Sequence, residues 1–234
     1  MTTCVALLEN IKTPKITNIQ FGLLNPAVVS RQSVVHVTKP TLYIRQLPAP
    51  GGLNDLRMGT SDRRLPCGTC KNDVLNCVGH PGHIELAAPV YHVSMITIVL
   101  KILRCVCFFC SRLLVDYEKE ARVQDERFKS ADPKDRLALM VNMCKAKHVC
   151  LHCHGYQPKY TQIRTLTQIK TEFRPKDLEK VETEEERVFV SLPFTAATAR
   201  SILEFIPDHE VRILGINPEF ARPEWMILTV IQVP

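Results

Sequence analysis

Apolar residues at Ile96, Val99, Leu100 and Leu103 recur at i, i+3, i+4 and i+7 within residues 93–106, and further apolar positions fill the rest of the circumference. That pattern predicts a largely buried helix. A second helical face carries Leu137, Met140, Val141 and Cys144, preceded by Asp132 and Pro133, which suit an N-cap and a first turn. A third carries Ala199, Ile202, Leu203 and Ile206, with Thr195 as its cap and Pro207 as its stop. Apolar runs at 34–37, 42–47 and 225–233 read as strands. The last, WMILTVIQV, ends without a visible partner, and an uncovered apolar strand is an aggregation hazard. Up to about Val90 the chain is rich in proline and loop formers, so little regular helix is expected there. Residues 116–136 and 170–187 are charge-dense and read as an exposed excursion and a surface arm.

At 234 residues, 45% hydrophobic and 23% charged, the composition is that of a globular chain with one or two modest cores. The first twelve residues lack the basic region and apolar stretch of a secretory signal, and the most apolar segment, 90–109, is interrupted by Lys101 and Arg104. The chain is therefore expected to be soluble and intracellular. Its charge of +6 and pI near 8.8 are only mildly basic, but the distribution is sharper. Residues 137–171 contain no Asp or Glu, while Lys145, Lys147, Lys159 and Arg164 are interleaved with His148, His152, His154, Tyr156 and Tyr160. This composition suits a phosphate backbone, and those four cations are the candidate nucleic-acid contacts.

The strongest chemical signal is eight metal-ligand residues in two sets. Cys67, Cys70, Cys77 and His80 read Cys-x2-Cys-x6-Cys-x2-His; Cys107, Cys110, Cys150 and Cys153 read Cys-x2-Cys-x39-Cys-x2-Cys. Each supplies the four ligands of a closed structural zinc site, with no position open for substrate or reactive water. Two ligands separated by two residues curl around one ion in a tight knuckle. The first set staples a local loop, and the second ties together elements distant in sequence. In small zinc domains such binding contributes roughly 10–16 kcal/mol of apparent folding free energy. In a reducing compartment paired thiols are more often metal ligands than disulfides. Cys4, Cys105 and Cys144 are less telling.

Rival readings fit less well. A zinc deaminase would use His-x-Glu followed by Cys-x2-Cys, which His83, Glu85, Cys107 and Cys110 imitate. The proline expected before the cysteine pair is missing, and three ligands of the first set would be stranded along with Cys150 and Cys153. His36 and His83 are read as ordinary structural or surface histidines, and Glu85 needs no catalytic role. A RING-type adaptor interleaves its two sites, which these sets do not. An independent zinc-dependent nucleic-acid-binding factor is the remaining alternative, distinguished by stability as a monomer.

Four blocks, LRMGTSDRRLPCGTC (56–70), CVGHPGHIELAAPVYHV (77–93), ILRCVCFFCSRLLVD (102–116) and LGINPEFARPEWMILTVIQVP (214–234), resemble the amino-terminal clamp region of the largest subunit of multisubunit DNA-directed RNA polymerases, most closely the RNA polymerase II type. The resemblance covers nearly the whole chain in order. It implies an irregular zinc-stapled α+β module with two structural Zn2+ on the same eight ligands. It also implies a clamp core over 1–92, a clamp head over 93–190 and a return helix and strand over 191–234. The implied role is non-catalytic, closing over template DNA and the DNA–RNA hybrid. The implied partners are the remainder of the largest subunit, the second-largest subunit and smaller subunits. The implied location is the nucleus, or a virion and its host cell if the chain is virus-encoded. Val78 and Pro81 stand where the family commonly has Pro and Phe, and Leu151–His152 compress a longer insertion; neither change removes a ligand. The family's Asp-rich motif NADFDGD, which holds catalytic Mg2+, has no counterpart here, so this piece is expected to be unable to polymerise RNA alone. It reads as part of a split or longer subunit.

Overall fold

A computed structural model describes residues 15–120, 126–163, 168–173 and 194–233. It is mixed helix and short strand, with more regular structure near the start than the proline count suggests. Helix α1 (Pro26–Gln32) is begun by Asn25, whose side chain accepts from Ala27 N at 2.9 Å, and by Pro26 at a position that needs no N–H. Strand β1 (Val35–His36) follows as expected. Residues 42–47 are not one strand. They fold back as β2 (Tyr43–Ile44) and β3 (Leu47–Pro48), because Arg45 (φ 49°) and Gln46 (φ 65°) form a two-residue turn in the left-handed region.

Strand β4 (Gly82–Tyr91) is the longest in the chain's described part and was not expected, since its Ala-Ala-Pro stretch reads as a breaker. Helix α2 (Ile96–Leu103) is shorter than the 93–106 run but buries Ile96, Val99, Leu100, Ile102 and Leu103. Within the charged stretch 116–136, α3 (Glu126–Ser130) corrects the reading of a wholly exposed excursion. Phe128 enters the core, and the Arg136 guanidinium lies 5.8 Å from its ring centroid. Helix α4 (Pro133–Cys144) buries Leu137, Met140 and Cys144; Asp132 holds the N-cap position, but its side chain makes no capping bond.

Strands β5 (Lys159–Ile163) and β6 (Gln168–Glu172) pair as an antiparallel hairpin with Tyr160 and Ile169 buried. Residues 170–172 are thus strand rather than surface arm; one core-facing residue per strand is too few to show as a period. Residues 174–187 lie outside the described residues. Helix α5 (Ala196–Glu204) starts where Thr195 Oγ1 accepts from Thr198 N at 3.2 Å. Pro207 both ends it and caps α6 (Asp208–Ile213). A 3-10 turn (Pro223–Met226) leads into β7 (Ile227–Val233).

β7 has a partner within the chain. It pairs antiparallel with β4, completing a sheet in the order β1, β4, β7, with β1 parallel to β4. The sequence concealed this because β4 itself was hidden. The ladder shifts register between Glu85 and Val90, the span containing Pro89, which has no N–H to donate. A large core runs from Tyr91 through α2, residues 105–115 and helices α4 to α6 to Ile227. A second, small core of Val35, Val37 and Met58, flanked by Val34, Ile84 and Val233, lies under the sheet's other end. Among the described residues no helix is long and apolar enough to cross a membrane.

Candidate metal centres

Three of the four Cys-x2-ligand segments fold identically. The first cysteine's N–H donates to the carbonyl five residues on: Cys67 to Asn72 at 2.9 Å, Cys107 to Arg112 at 2.8 Å and Cys150 to Gly155 at 3.0 Å. Its carbonyl accepts from the residue four positions on, Lys71, Ser111 or His154, and each of these has a positive φ of 57–62°. Its sulfur accepts from the N–H two positions on: Thr69 at 3.4 Å, Phe109 at 3.4 Å and His152 at 3.3 Å. The turn therefore aims backbone dipoles at the sulfur before any ion arrives. The fourth segment differs, using Gly79 at φ 80° between Cys77 and His80.

The eight residues gather into two sets. The ligand atoms of Cys67, Cys70, Cys77 and His80 lie within 4.8 Å of one another, and so do those of Cys107, Cys110, Cys150 and Cys153. In the second set the pairing crosses, with Cys107 Sγ 3.5 Å from Cys153 Sγ and Cys110 Sγ 3.6 Å from Cys150 Sγ. Flanking antiparallel bridges Val106↔Leu113 and Val149↔Tyr156 make the two knuckles matching hairpins whose sulfurs meet. Sulfurs about 2.3 Å from one tetrahedral ion stand about 3.7 Å apart, whereas a disulfide needs about 2.05 Å. The donor set therefore fits zinc and not a cross-link. In the first set Cys77 Sγ and His80 Nε2 are 3.9 Å apart.

The thiols titrate unevenly. Burial pushes Cys67 up, but the N–H groups of Cys70 and Thr69 and bonds from neighbouring thiols outweigh it and bring it down to about 6. In the second set burial pushes Cys110 up to about 11 and Cys107 higher still, while N–H groups of Cys153 and His152 bring Cys150 down against its burial. Four thiolates so close cannot all stay ionised without a cation among them.

Around these sets lie residues the sequence did not single out. Glu210 on α6 is fully buried, accepting from Arg112 Nε at 2.5 Å and Leu113 N at 2.7 Å, and so holds the exit of the Cys107 knuckle. Gln157 donates to Cys107 Sγ at 3.2 Å and to the Gly155 carbonyl at 2.7 Å, and accepts from Phe108 N at 2.8 Å, so one side chain links both knuckles. Gly155 leaves no room for a side chain: a Cβ there would stand 2.6 Å from the Phe109 ring. Beside the first set, buried Asp55 accepts from Gly51 N at 2.6 Å and Arg57 Nη2 at 2.7 Å, and the Arg57 guanidinium holds its carboxyl well below the usual range.

The sequence model of the family described as RNA polymerase Rpb1, domain 1 matches residues 13–234. The chain belongs to this family. It is 38% identical over 228 residues to DNA-directed RNA polymerase II subunit RPB1 of Euplotoides octocarinatus, covering 94% of this chain and 46% of that protein. It is 36% identical over 233 residues to DNA-directed RNA polymerase subunit Rpo1N of Methanocaldococcus jannaschii, covering 97% of this chain and 16% of that protein. The chain thus spans about half of the first relative and about a sixth of the second.

In this Rpb1 domain 1 chain the basic stretch converges as well. Lys145, Lys147 and Lys159 are exposed and line one cavity of about 580 Å³, together with Arg104 and His148 over an apolar floor of Leu103, Val106 and Val141. Arg164 lies outside the described residues. Gln157 also borders this cavity, so the Cys107 knuckle and the basic rim share a wall. The structure also brings together His36, His83 and Glu85, read from sequence as unremarkable; the sequence shows His83-x-Glu85 but not the strand that sets His36 beside them.

Proposed function

We propose that the chain is the non-catalytic clamp portion of the largest subunit of a DNA-directed RNA polymerase, closing over template DNA and the DNA–RNA hybrid. The observation that carries this reading is the family match over residues 13–234. In this reading 1–92 form part of the clamp core, 93–190 the clamp head, and 191–234 the return to the core. Two structural Zn2+ sit on Cys67, Cys70, Cys77 and His80 and on Cys107, Cys110, Cys150 and Cys153. Zinc supplies rigidity here and no reaction step. The surrounding residues orient the ligands: the knuckle N–H groups and Gln157 polarise the sulfurs, and Glu210 fixes the second set against α6.

Lys145, Lys147, Lys159 and Arg164 contact phosphates without reading sequence. The converging basic rim supports this, since among the described residues the three lysines make no ion pair that would neutralise them. Catalytic Mg2+ and its aspartates belong to the rest of the polymerase, as do the second-largest and smaller subunits. The location is nuclear, or virion and host cell if the chain is virus-encoded. Affinity purification of the tagged chain tests the assignment: a subunit bearing the magnesium-binding aspartates is expected to come with it. Its absence, or RNA synthesis by the chain alone, overturns the assignment. Replacing the three lysines by Ala lowers the salt slope of duplex binding by about 0.9 per lost contact, with little dependence on sequence.

A further inference from the structure

The geometry points to a third metal site, built on the sheet and made by His36, His83 and Glu85, that takes a borderline divalent ion such as Zn2+. The placement follows from strand periodicity. His83 and Glu85 are two apart on β4 and so face the same side, and the parallel register sets His36 of β1 directly beside His83. One imidazole nitrogen from each histidine and a Glu85 oxygen lie within 4.8 Å of one another.

Three observations favour an ion over a set of direct contacts. His83 is 8% exposed, yet its Nδ1 is buried and makes no hydrogen bond. Its Nε2 is 4.0 Å from Glu85 Oε1, too far for a hydrogen bond. Buried polar atoms are nearly always paired, so His83 lacks the partners its burial calls for, and one ion supplies that of a single nitrogen, the Nε2 that faces Glu85. Finally, ligands about 2.0–2.1 Å from one tetrahedral ion stand about 3.4 Å apart, so a turn of the exposed Glu85 side chain closes the 4.0 Å between His83 Nε2 and Glu85 Oε1. Two imidazoles and a carboxylate select zinc or its first-row neighbours over Mg2+ or Ca2+.

Closure also requires His36 to move. The two rings are stacked, with centroids 4.7 Å apart and planes 9° apart, so their in-plane lone pairs run parallel instead of converging. His36 is exposed and is free to tip off the stack, while His83 and Glu85 stay on the strand. Unlike the two thiolate sets, three protein ligands leave a coordination position open to solvent or to a partner's side chain. The ion pins β1 to β4 where the ladder offers just two residue pairs.

The test uses the full chain with its two thiolate-containing sets already loaded with zinc. Equilibrium dialysis against further Zn2+ is expected to show a third ion. His36→Ala and, separately, Glu85→Gln weaken that ion at least ten-fold without changing the first two. Added Zn2+ is expected to slow amide exchange at Val35 to Val37 in the parent chain and not in His36→Ala, which alters an exposed side chain and keeps the fold. A third ion that persists unchanged in both variants, or no third ion in the parent chain, overturns the inference. So does a third ion that leaves amide exchange in β1 unchanged.

Discussion

Cys67, Cys70, Cys77 and His80 hang on a loop whose apolar support is the small cluster of Val35, Val37 and Met58, whereas Cys107, Cys110, Cys150 and Cys153 stand against a core reaching from Tyr91 to Ile227. The Cys67 knuckle has the same geometry as both knuckles of the second set, and beyond the different Cys77–His80 turn the contrast lies in what surrounds each set. Leu75 and Val78 in the first loop are 84% and 92% exposed, while Phe108 and Leu113 around the second set are buried. In the proposed two-zinc reading the first set needs its ion to have a structure, whereas the second needs its ion to complete a structure that packing, Glu210 and Gln157 already outline.

Chelation should break the pair apart. Removing metal is expected to abolish amide protection throughout residues 56–82, because an interaction worth roughly 10 kcal/mol or more is withdrawn from a segment with little else to hold it. In the second region the loss is confined to the knuckles, and α2 and α4 keep their protection. Hydrogen exchange with and without chelator checks this, and equal loss in both regions would remove the distinction.

Glu210→Ala sharpens it from the other side. The change strands the Leu113 N–H and the Arg112 guanidinium, and a loss of about 3 kcal/mol is expected in urea unfolding, since Arg112 is part-exposed and recovers some hydration. Metal in the first set should be unaffected. Gln157→Ala comes next, at about 2 kcal/mol, with zinc affinity at the second set reduced about ten-fold in competition with a chelator. The smallest effect is expected for Asp55→Ala, about 1.5 kcal/mol, read as faster amide exchange at Gly51 and Arg57. Half-exposed Arg57 finds water when its partner is removed.

The eight candidate ligands were legible because their pattern is local: each knuckle is encoded within three or four residues, and the structure groups the pairs as the spacing did. Helices α2, α4 and α5 were legible for the same reason, their faces being complete within one segment. β4 was not, because Ala-Ala-Pro weakens its period and the strand is held by β7, far away in sequence. Glu210 and Gln157 carried no local signal at all. A buried glutamate in a short charged helix looks like any surface glutamate until the tertiary fold brings Arg112 to it.

The order β1, β4, β7 also has a consequence in time. The last ligand of the first set, His80, is synthesised before β4 begins, but the long ladder on β4's other edge comes from residues 227–233, about 140 residues later. At about 5–20 residues per second a ribosome takes roughly 7–30 s to supply it. For that interval β4 has an open edge and Ile84 lacks its ladder partner Ile231, so the nascent segment depends on the two residue pairs to β1 and on whatever closes at residue 80. In the proposed reading, an ion captured there acts as a temporary foundation, holding the start of β4 in place until the remainder of the sheet exists.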